Sequence, residues 1–299
     1  MIYYGFMKLH LTSPNTEPTT PGVTISLFDD LISLCQIRIS EFMEWLLNDR
    51  DIKHQDIKDY GLSCSRRFVN EDFRILFLSE SEIMRLNSFR TLKKQIEWMC
   101  GRFAAKILAI ESIRKNHFDL SFIFLPEIRV MTTDKGAPYL PDLYRSSVSI
   151  SHSHDYAIAA LISQPGFKIG VDIEKIAPMN TDHFLKLAFS ERERKLLENS
   201  DDRTLTTNWS MKEAILKLMG QGFHQPLTHT EIIGESVYID GLRQEKIIQK
   251  RMIVDDEFVL SIAYEQIKNH RAVCKFCKAP GKPDMNYCSN KEKIQEKNI

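Results

Sequence analysis

From Phe167 to Glu174, apolar side chains (Phe167, Ile169, Val171, Ile173) alternate with Lys168, Gly170, Asp172 and Glu174. A period of two predicts a half-buried strand. Ser147–Ser151 and Asp155–Ser163 read as two more strands, joined at Ser151-His152-Ser153-His154. Short β-like runs follow at Glu231–Ile233, Ser236–Ile239 and Phe258–Tyr264, and Phe73–Leu78 becomes apolar enough for a buried strand. Helical spacing dominates elsewhere. Ile96, Met99, Phe103, Ile107 and Ile110 form a stripe on a helix predicted from about Thr91 to Lys115. A second strong helix carries Trp209 to Lys217, with Asp201 or Asp202 to cap it and Gly220 and Gly222 after its end. Ser79 to Glu82 and Ser190 to Glu193 both have capping-box spacing. Residues 1–22, with three prolines, read as a loose leader. Leu27, Phe28, Leu31, Leu34, Phe42, Trp45 and Leu46 then predict a helix or two, either an added packing layer or a docking element.

This order of elements places a long helix with strands twice, around 71–165 and 166–268, although no repeat is visible letter by letter. The expected organisation is an extension over 1–70, two successive segments over 71–165 and 166–268, and a Cys/Lys-rich tail over 269–299.

Composition narrows the partners. Forty basic and forty acidic residues cancel, so no global charge argues for nucleic acid or an anionic membrane. No apolar run reaches the ~20 residues of a membrane helix. Met1 to Phe6 lack the basic region and apolar core of a secretory signal. Three of the six cysteines are scattered and three are bunched near the end, which is no disulfide framework and suits a reducing cytoplasm.

Candidate chemistry lies on the predicted strand and the second helix. Asp172 and Glu174 share a strand face about 7 Å apart. Two such carboxylates repel unless a positive charge sits between them; Mg²⁺ suits the oxygen ligands, whereas an exposed edge strand would simply solvate both acids. Glu213 and Lys217 are one helical turn apart, either a surface ion pair or a third carboxylate with a phosphate-seeking lysine beside it. Arg102 and Lys106 have the same spacing and read as a solvated basic pair. His152 stands in a predicted turn, where a histidine is ordinarily solvated. In the tail, His270, Cys274, Cys277 and Cys288 offer a tetrahedral zinc set, against a disordered, lysine-rich alternative.

Four motifs carry a resemblance. Gly101-Arg102-Phe103-Ala104-Ala105-Lys106, Val148-Ser149-Ile150-Ser151-His152-Ser153, Gly170-Val171-Asp172-Ile173-Glu174 and Trp209-Ser210-Met211-Lys212-Glu213-Ala214 with Lys217 stand in the order and at the spacing of the Sfp-type 4′-phosphopantetheinyl transferases. The resemblance covers roughly residues 71–268. It implies an α+β fold of two similar α/β halves related by a pseudo-twofold axis. The active site would lie in the cleft between them, flanked here by an N-terminal helical extension and a C-terminal tail.

The implied reaction moves 4′-phosphopantetheine from coenzyme A to a serine of an apo acyl or peptidyl carrier protein. It is magnesium-dependent, with Mn²⁺ as an alternative, and the protein would act as a monomer. Asp172, Glu174 and Glu213 would hold the metal. Glu213 is the first choice of base and Glu174 the second, directly or through a water. Lys217 would neutralise or protonate the departing phosphate. Arg102, Ser151 and His152 would contact coenzyme A. Lys212 is a weaker candidate because it projects about 100° around the helix from Glu213. Many relatives carry Gly-Lys-Pro where this chain has Gly136-Ala137-Pro138, and Lys135, one residue before the glycine, is the candidate substitute. His154 has no counterpart. A coenzyme A or carrier-protein binding module without catalysis and a metal-dependent phosphodiesterase are the two other classes. Product analysis separates them.

Overall fold

The structure is a computed structural model that describes residues 20–48, 77–116, 125–179, 182–220 and 226–267. The candidate zinc ligands His270, Cys274, Cys277 and Cys288, most of the leader, and Phe73 to Leu76 of the expected strand lie outside the described residues.

Two antiparallel sheets pack face to face. The first contains β1 (Val23–Phe28), β2 (Ile32–Arg38), β5 (Ser147–Ser153) and β6 (Tyr156–Ile162), in the order β1-β2-β6-β5. Between them in sequence, β3 (Met131–Thr132) and β4 (Pro138–Tyr139) form a separate short hairpin. The second sheet has the order β11-β12-β7, from β7 (Phe167–Lys175), β11 (Ile248–Val254) and β12 (Phe258–Gln266). A small meander, β8 (Thr230–Ile233), β9 (Ser236–Ile239) and β10 (Leu242–Arg243), completes the strands.

The helices are α1 (Ile39–Asn48), α2 (Glu80–Asn87), α3 (Leu92–Asn116), α4 (Asp182–Ala188), α5 (Glu191–Leu196) and α6 (Asp202–Met219). Ile158, Ala160 and Ile162 of β6 meet Val171 and Ile173 of β7 and Leu260 and Ile262 of β12 in a dry layer between the sheets. On the outer face of the first sheet, α1 and α3 cover Ala157, Ala159 and Leu161. On the outer face of the second, α6 packs Met211, Ala214 and Leu218 near Ala263. The order is helix, sheet, sheet, helix. Being covered on both faces, β6 is apolar at nearly every position.

One expectation is corrected. Residues 23–38 form a hairpin rather than a helix. Asp29 and Asp30 take positive φ in the turn, which is closed by the Leu31 N–H donating to the Phe28 carbonyl at 3.2 Å. Ile32 and Leu34 face the layer between the sheets while Cys35 and Ile37 face the α3 side, so burial on two faces imitates helical spacing. Residues 20–48 therefore complete the first sheet and its core. Asp155, in the β5–β6 turn, caps α1 from a distance: the Ser40 N–H and hydroxyl donate to its two oxygens, each at 2.7 Å. The β11 strand is a second departure, since its mixed sequence gave no alternation to read.

Two capping boxes form as their spacing predicts, Ser79 with Glu82 and Ser190 with Glu193. Each glutamate also receives a fully buried lysine. Lys106 Nζ donates to Glu82 (2.6 Å), to the Phe77 carbonyl (2.7 Å) and to the Leu125 carbonyl (3.0 Å). Lys212 Nζ donates to Glu193 and to the Ala188 carbonyl, both at 2.7 Å. In both cases the carbonyl lies two residues before the capping serine. The same latch thus ties each long helix to the short helix before it.

Candidate active site

The second sheet ends at β7, yet β7 is not an exposed edge. Serines at alternate positions of β5 cover it. Ser147 and Ser149 accept the Ile169 and Val171 N–H groups at 3.0 Å, and Ser153 accepts the Lys175 N–H at 3.4 Å. Ser151 donates to Asp172 Oδ1 and Ser153 to Glu174 Oε2, each at 2.8 Å. A hydroxyl ladder therefore joins the two sheets where no backbone ladder does, and its last rungs orient both acids. The alternation of serine along β5 was the sequence signal for it. Ser151, His152 and Ser153 belong to the strand itself, and the turn begins at His154, where φ is positive.

On the other face of β7 lies α6, and the approach is close. A Cβ on Gly170 would stand 1.9 Å from the Ala214 carbonyl oxygen, so only glycine admits the helix. This contact brings Glu213 and Lys217 over Asp172. Lys217 Nζ donates to Asp172 Oδ1 at 2.7 Å and to Ser151 at 2.8 Å. Asp172 Oδ2 and Glu213 Oε1 are buried without a hydrogen-bond partner. Burial, then the nearby Asp172 charge, raises Glu213 to about 7, with Lys217 opposing. The same two causes raise Glu174, against hydrogen bonds from Ser153 and Trp209 that lower it. Trp209 thus carries a donor to the acidic cluster.

Opposite these acids stands a cationic wall from α2 and α3. Arg102 is buried, its Nη1 has no hydrogen-bond partner, and its guanidinium lies over the Trp98 ring at 4.8 Å from the centroid. Burial lowers it to about 10, so it remains charged at neutral pH. Lys94 and Arg85 share this wall. Lys94 donates to His152 Nε2 at 3.1 Å, and His152 Nδ1 lies 3.4 Å from Glu97. Burial, followed by Lys94 and Lys217, lowers His152 to about 4, so the ring is neutral and its Nδ1–H faces Glu97.

These groups line one cavity of about 860 Å³, with Trp98, Arg102, Ser151, His152, Asp172, Glu174, Glu213 and Lys217 all at its surface. A smaller cavity of about 490 Å³, near Leu185, Phe189 and Arg194, brings together none of the expected residues.

Three sequence expectations change. Lys212 is not at the site: it points away from Glu213 into its buried latch, with Phe189 beneath its ammonium. Lys135 sits at the exposed tip of the β3–β4 hairpin, and its neighbours Thr132, Gly136 and Pro138 line the cavity instead. Lys106 belongs to the first latch and is not half of a solvated basic pair. Arg85, Lys94 and Glu97 escaped the sequence reading, because nothing local links them to His152. Trp98, four residues before Arg102, was a readable i,i+4 partner.

A metal requires oxygen donors that lack partners. Asp172 Oδ2 and Glu213 Oε1 meet that requirement, and the raised proton affinities of Glu213 and Glu174 come first from burial and then from repulsion by Asp172, which a cation would relieve. Among the described residues, no three His, Cys, Asp or Glu side chains stand together at metal-ligand spacing. The Lys217 ammonium occupies one side of Asp172. The donors fit a hard divalent cation in kind, two carboxylates offering free oxygens and a third nearby.

Comparison with known proteins agrees with this geometry. A family model described as the 4′-phosphopantetheinyl transferase superfamily matches residues 168–263, from β7 through most of β12. The 4′-phosphopantetheinyl transferase Sfp of Bacillus subtilis is 34% identical over 163 residues, covering 50% of this chain and 69% of that protein. The transferase ffp of the same species is 32% identical over the same shares. A holo-[acyl-carrier-protein] synthase of Streptococcus agalactiae is 32% identical over 96 residues, 31% of this chain and 78% of the relative. With the acidic strand and the α6 carboxylate both inside residues 168–263, and Sfp matched over two thirds of its length, this chain belongs to the 4′-phosphopantetheinyl transferase superfamily.

Proposed function

We propose that this chain transfers the 4′-phosphopantetheine group of coenzyme A to a serine of an apo acyl or peptidyl carrier protein, releasing adenosine 3′,5′-bisphosphate. One observation carries the reading: a single cavity sets a buried, unpartnered Arg102 donor opposite unpartnered oxygens of Asp172 and Glu213. A diphosphate ligand with a divalent cation satisfies both walls at once.

Each side chain then has a task. Arg102 binds a phosphate of coenzyme A, with Lys94 and Arg85 beside it on the same wall. Asp172, Glu174 and Glu213 would hold Mg²⁺, or Mn²⁺ in its place, which would supply charge neutralisation on the diphosphate. Ser151 and Ser153 fix the orientation of the two strand acids. Glu213, whose buried Oε1 has no hydrogen-bond partner in the chain, takes the proton from the carrier serine hydroxyl. The serine oxygen bonds to the phosphopantetheine phosphorus as the P–O bond to adenosine 3′,5′-bisphosphate breaks, and Lys217 neutralises that departing phosphate. His152, neutral and held between Lys94 and Glu97, keeps the Lys94 ammonium at the cavity.

The two latches, Lys106 with Glu82 and Lys212 with Glu193, support a pseudo-twofold reading of the fold, with the boundary between the halves near residue 165 and the cleft between them as the active site. Both walls come from one chain, which supports a monomer. Among the described residues no helix is long and apolar enough to cross a membrane.

The test mixes the protein with Mg²⁺, a fluorescent coenzyme A conjugate and a promiscuous apo carrier protein, beside Glu213→Gln. The expected result is a phosphopantetheine-type mass gain on the carrier, abolished by EDTA and slowed by about 10²–10⁴ in the variant. Coenzyme A binding without label on several carriers would sink the reading. Label formed by the variant at the parent rate would move the base elsewhere.

A further inference from the structure

The smaller cavity, of about 490 Å³, lies among α4, α5 and the start of α6 and shares no lining residue with the larger one. Its volume is within the usual range of small-molecule sites. The floor is apolar: Phe189 and Leu205 are almost fully buried there, and Leu185 and Leu197 are half-buried. Arg194 lines it with a buried Nε that has no hydrogen-bond partner, and its guanidinium is in no ion pair among the described residues. At the rim, Asp182 and Glu191 already hold Lys186 at 2.6 Å and Lys195 at 2.7 Å. Glu198, just after the end of α5, lines the same cavity, is exposed, and is in no ion pair among the described residues.

These features narrow the occupant. A purely apolar molecule would suit the floor and leave the buried Arg194 donor without an acceptor. A simple anion would supply the acceptor but meet a lining of three carboxylates against two cations. A simple cation would suit Glu198 and leave Arg194 as it is. A small zwitterion with an apolar body answers all three.

We infer that this cavity is a second ligand site, for a free α-amino acid with a large apolar side chain. The ligand carboxylate accepts from Arg194, its ammonium donates to Glu198, and its side chain lies on Leu185, Phe189, Leu197 and Leu205. The Lys212 ammonium stands over the Phe189 ring, 5.0 Å from the centroid, so the occupant rests beside the latch that ties α5 to α6. The existence of this site does not depend on the reaction performed in the larger cavity.

The probe is L-phenylalanine, titrated calorimetrically into the full chain up to about 10 mM, with L-leucine and L-methionine beside it. Saturable one-to-one binding is expected. N-acetyl-L-phenylalanine, which lacks the ammonium, and L-phenylalaninamide, which lacks the carboxylate, should each bind at least about tenfold more weakly, through loss of one charge-assisted hydrogen bond. Arg194→Gln and Glu198→Gln should each weaken L-phenylalanine binding by a similar factor. Glu198 is exposed, so its variant keeps the fold and decides the matter should Arg194→Gln fail to fold. Saturating coenzyme A should leave the affinity unchanged. Absence of saturable binding for all three amino acids overturns the inference. So does equal binding of either analogue, or a Glu198→Gln protein that binds as the parent does. Competition by coenzyme A would put the ligand in the larger cavity and overturn it as well.

Discussion

The two long helices, α3 and α6, are anchored alike and armed differently. Each carries a fully buried lysine, Lys106 or Lys212, that reaches a capping-box glutamate and the carbonyl two residues before the capping serine. Around those fixed points the neighbours diverge. The residue after Lys106 is Ile107, which belongs to the core, and the residue after Lys212 is Glu213, at the cavity. Four residues before Lys106 stands Arg102, which is buried and lines the cavity; four before Lys212 stands Asn208, which bonds its own helix at the Thr204 carbonyl. One scaffold therefore presents a cation from one side and an acid from the other. The lysine nearest the acidic residue in sequence, Lys212, is buried in its latch, and the lysine one turn on, Lys217, faces the cavity.

The comparison breaks most visibly at the latches. Lys106→Met and Lys212→Met should each destabilise the fold by about 3–5 kcal/mol, because Glu82 or Glu193 is left buried without its cation. Urea denaturation measures this, and a Lys212→Met protein of parental stability but lost activity would return Lys212 to the site.

Next in size is the Glu213 contribution to stability. Its proton affinity is raised from 4.5 to about 7 in the folded state, so the folded protein holds a proton that the unfolded chain has released between those values. That contribution is complete below about 4.5 and is lost as pH rises through about 7. Glu213→Gln should therefore be more stable than the parent at pH 8, by up to about 3 kcal/mol, and equal to it near pH 4. Thermal melting in EDTA across that window reads the difference, and a gap that widens toward acid would contradict the assigned burial.

Arg102→Met tests the other wall. Its guanidinium pays a burial cost and has an unpartnered Nη1, so removing it should spare stability while weakening coenzyme A binding by about 10–100-fold. Calorimetric titration with coenzyme A, beside a melting curve, separates the two effects.

A last pair of variants, the milder of them at Gly101, sharpens the contrast in how the helices approach the strands. A Cβ on Gly101 meets only the Ile150 Cγ2 at 2.8 Å, a side chain that can turn, whereas a Cβ on Gly170 meets backbone. Gly101→Ala should cost about 1–3 kcal/mol and keep activity, while Gly170→Ala should displace α6 and lose most of it. Equal consequences would mean that both helices yield with equal ease.

Much of this was legible along the chain. Period two placed Asp172 and Glu174 on one face of a strand, and capping spacing located α2 and α5. The α6 start at Asp201 and its left-handed end at Gly220 followed from local residues too. These are short-range properties, set by backbone sterics and nearby hydrogen bonds, so a linear string contains them. Periodicity misled at residues 23–38, where burial on both faces of β2 blurred a period of two into one resembling 3.6.

What the sequence by itself determined was the kind of side chain available at each place: three acids, an arginine, two histidines and a run of alternate serines. Tertiary structure alone decided which of them meet. Ser151 and Asp172 are 21 residues apart, Lys217 and Ser151 are 66, and Lys94 and His152 are 58. It also decided that Lys212 and Lys106 lie buried while Lys217 and Arg102 line the cavity. The reason is physical: a lysine acts through the charge it can reach, and that charge is set by how helices seat on sheets, through contacts such as Ala214 against Gly170 that no local pattern encodes.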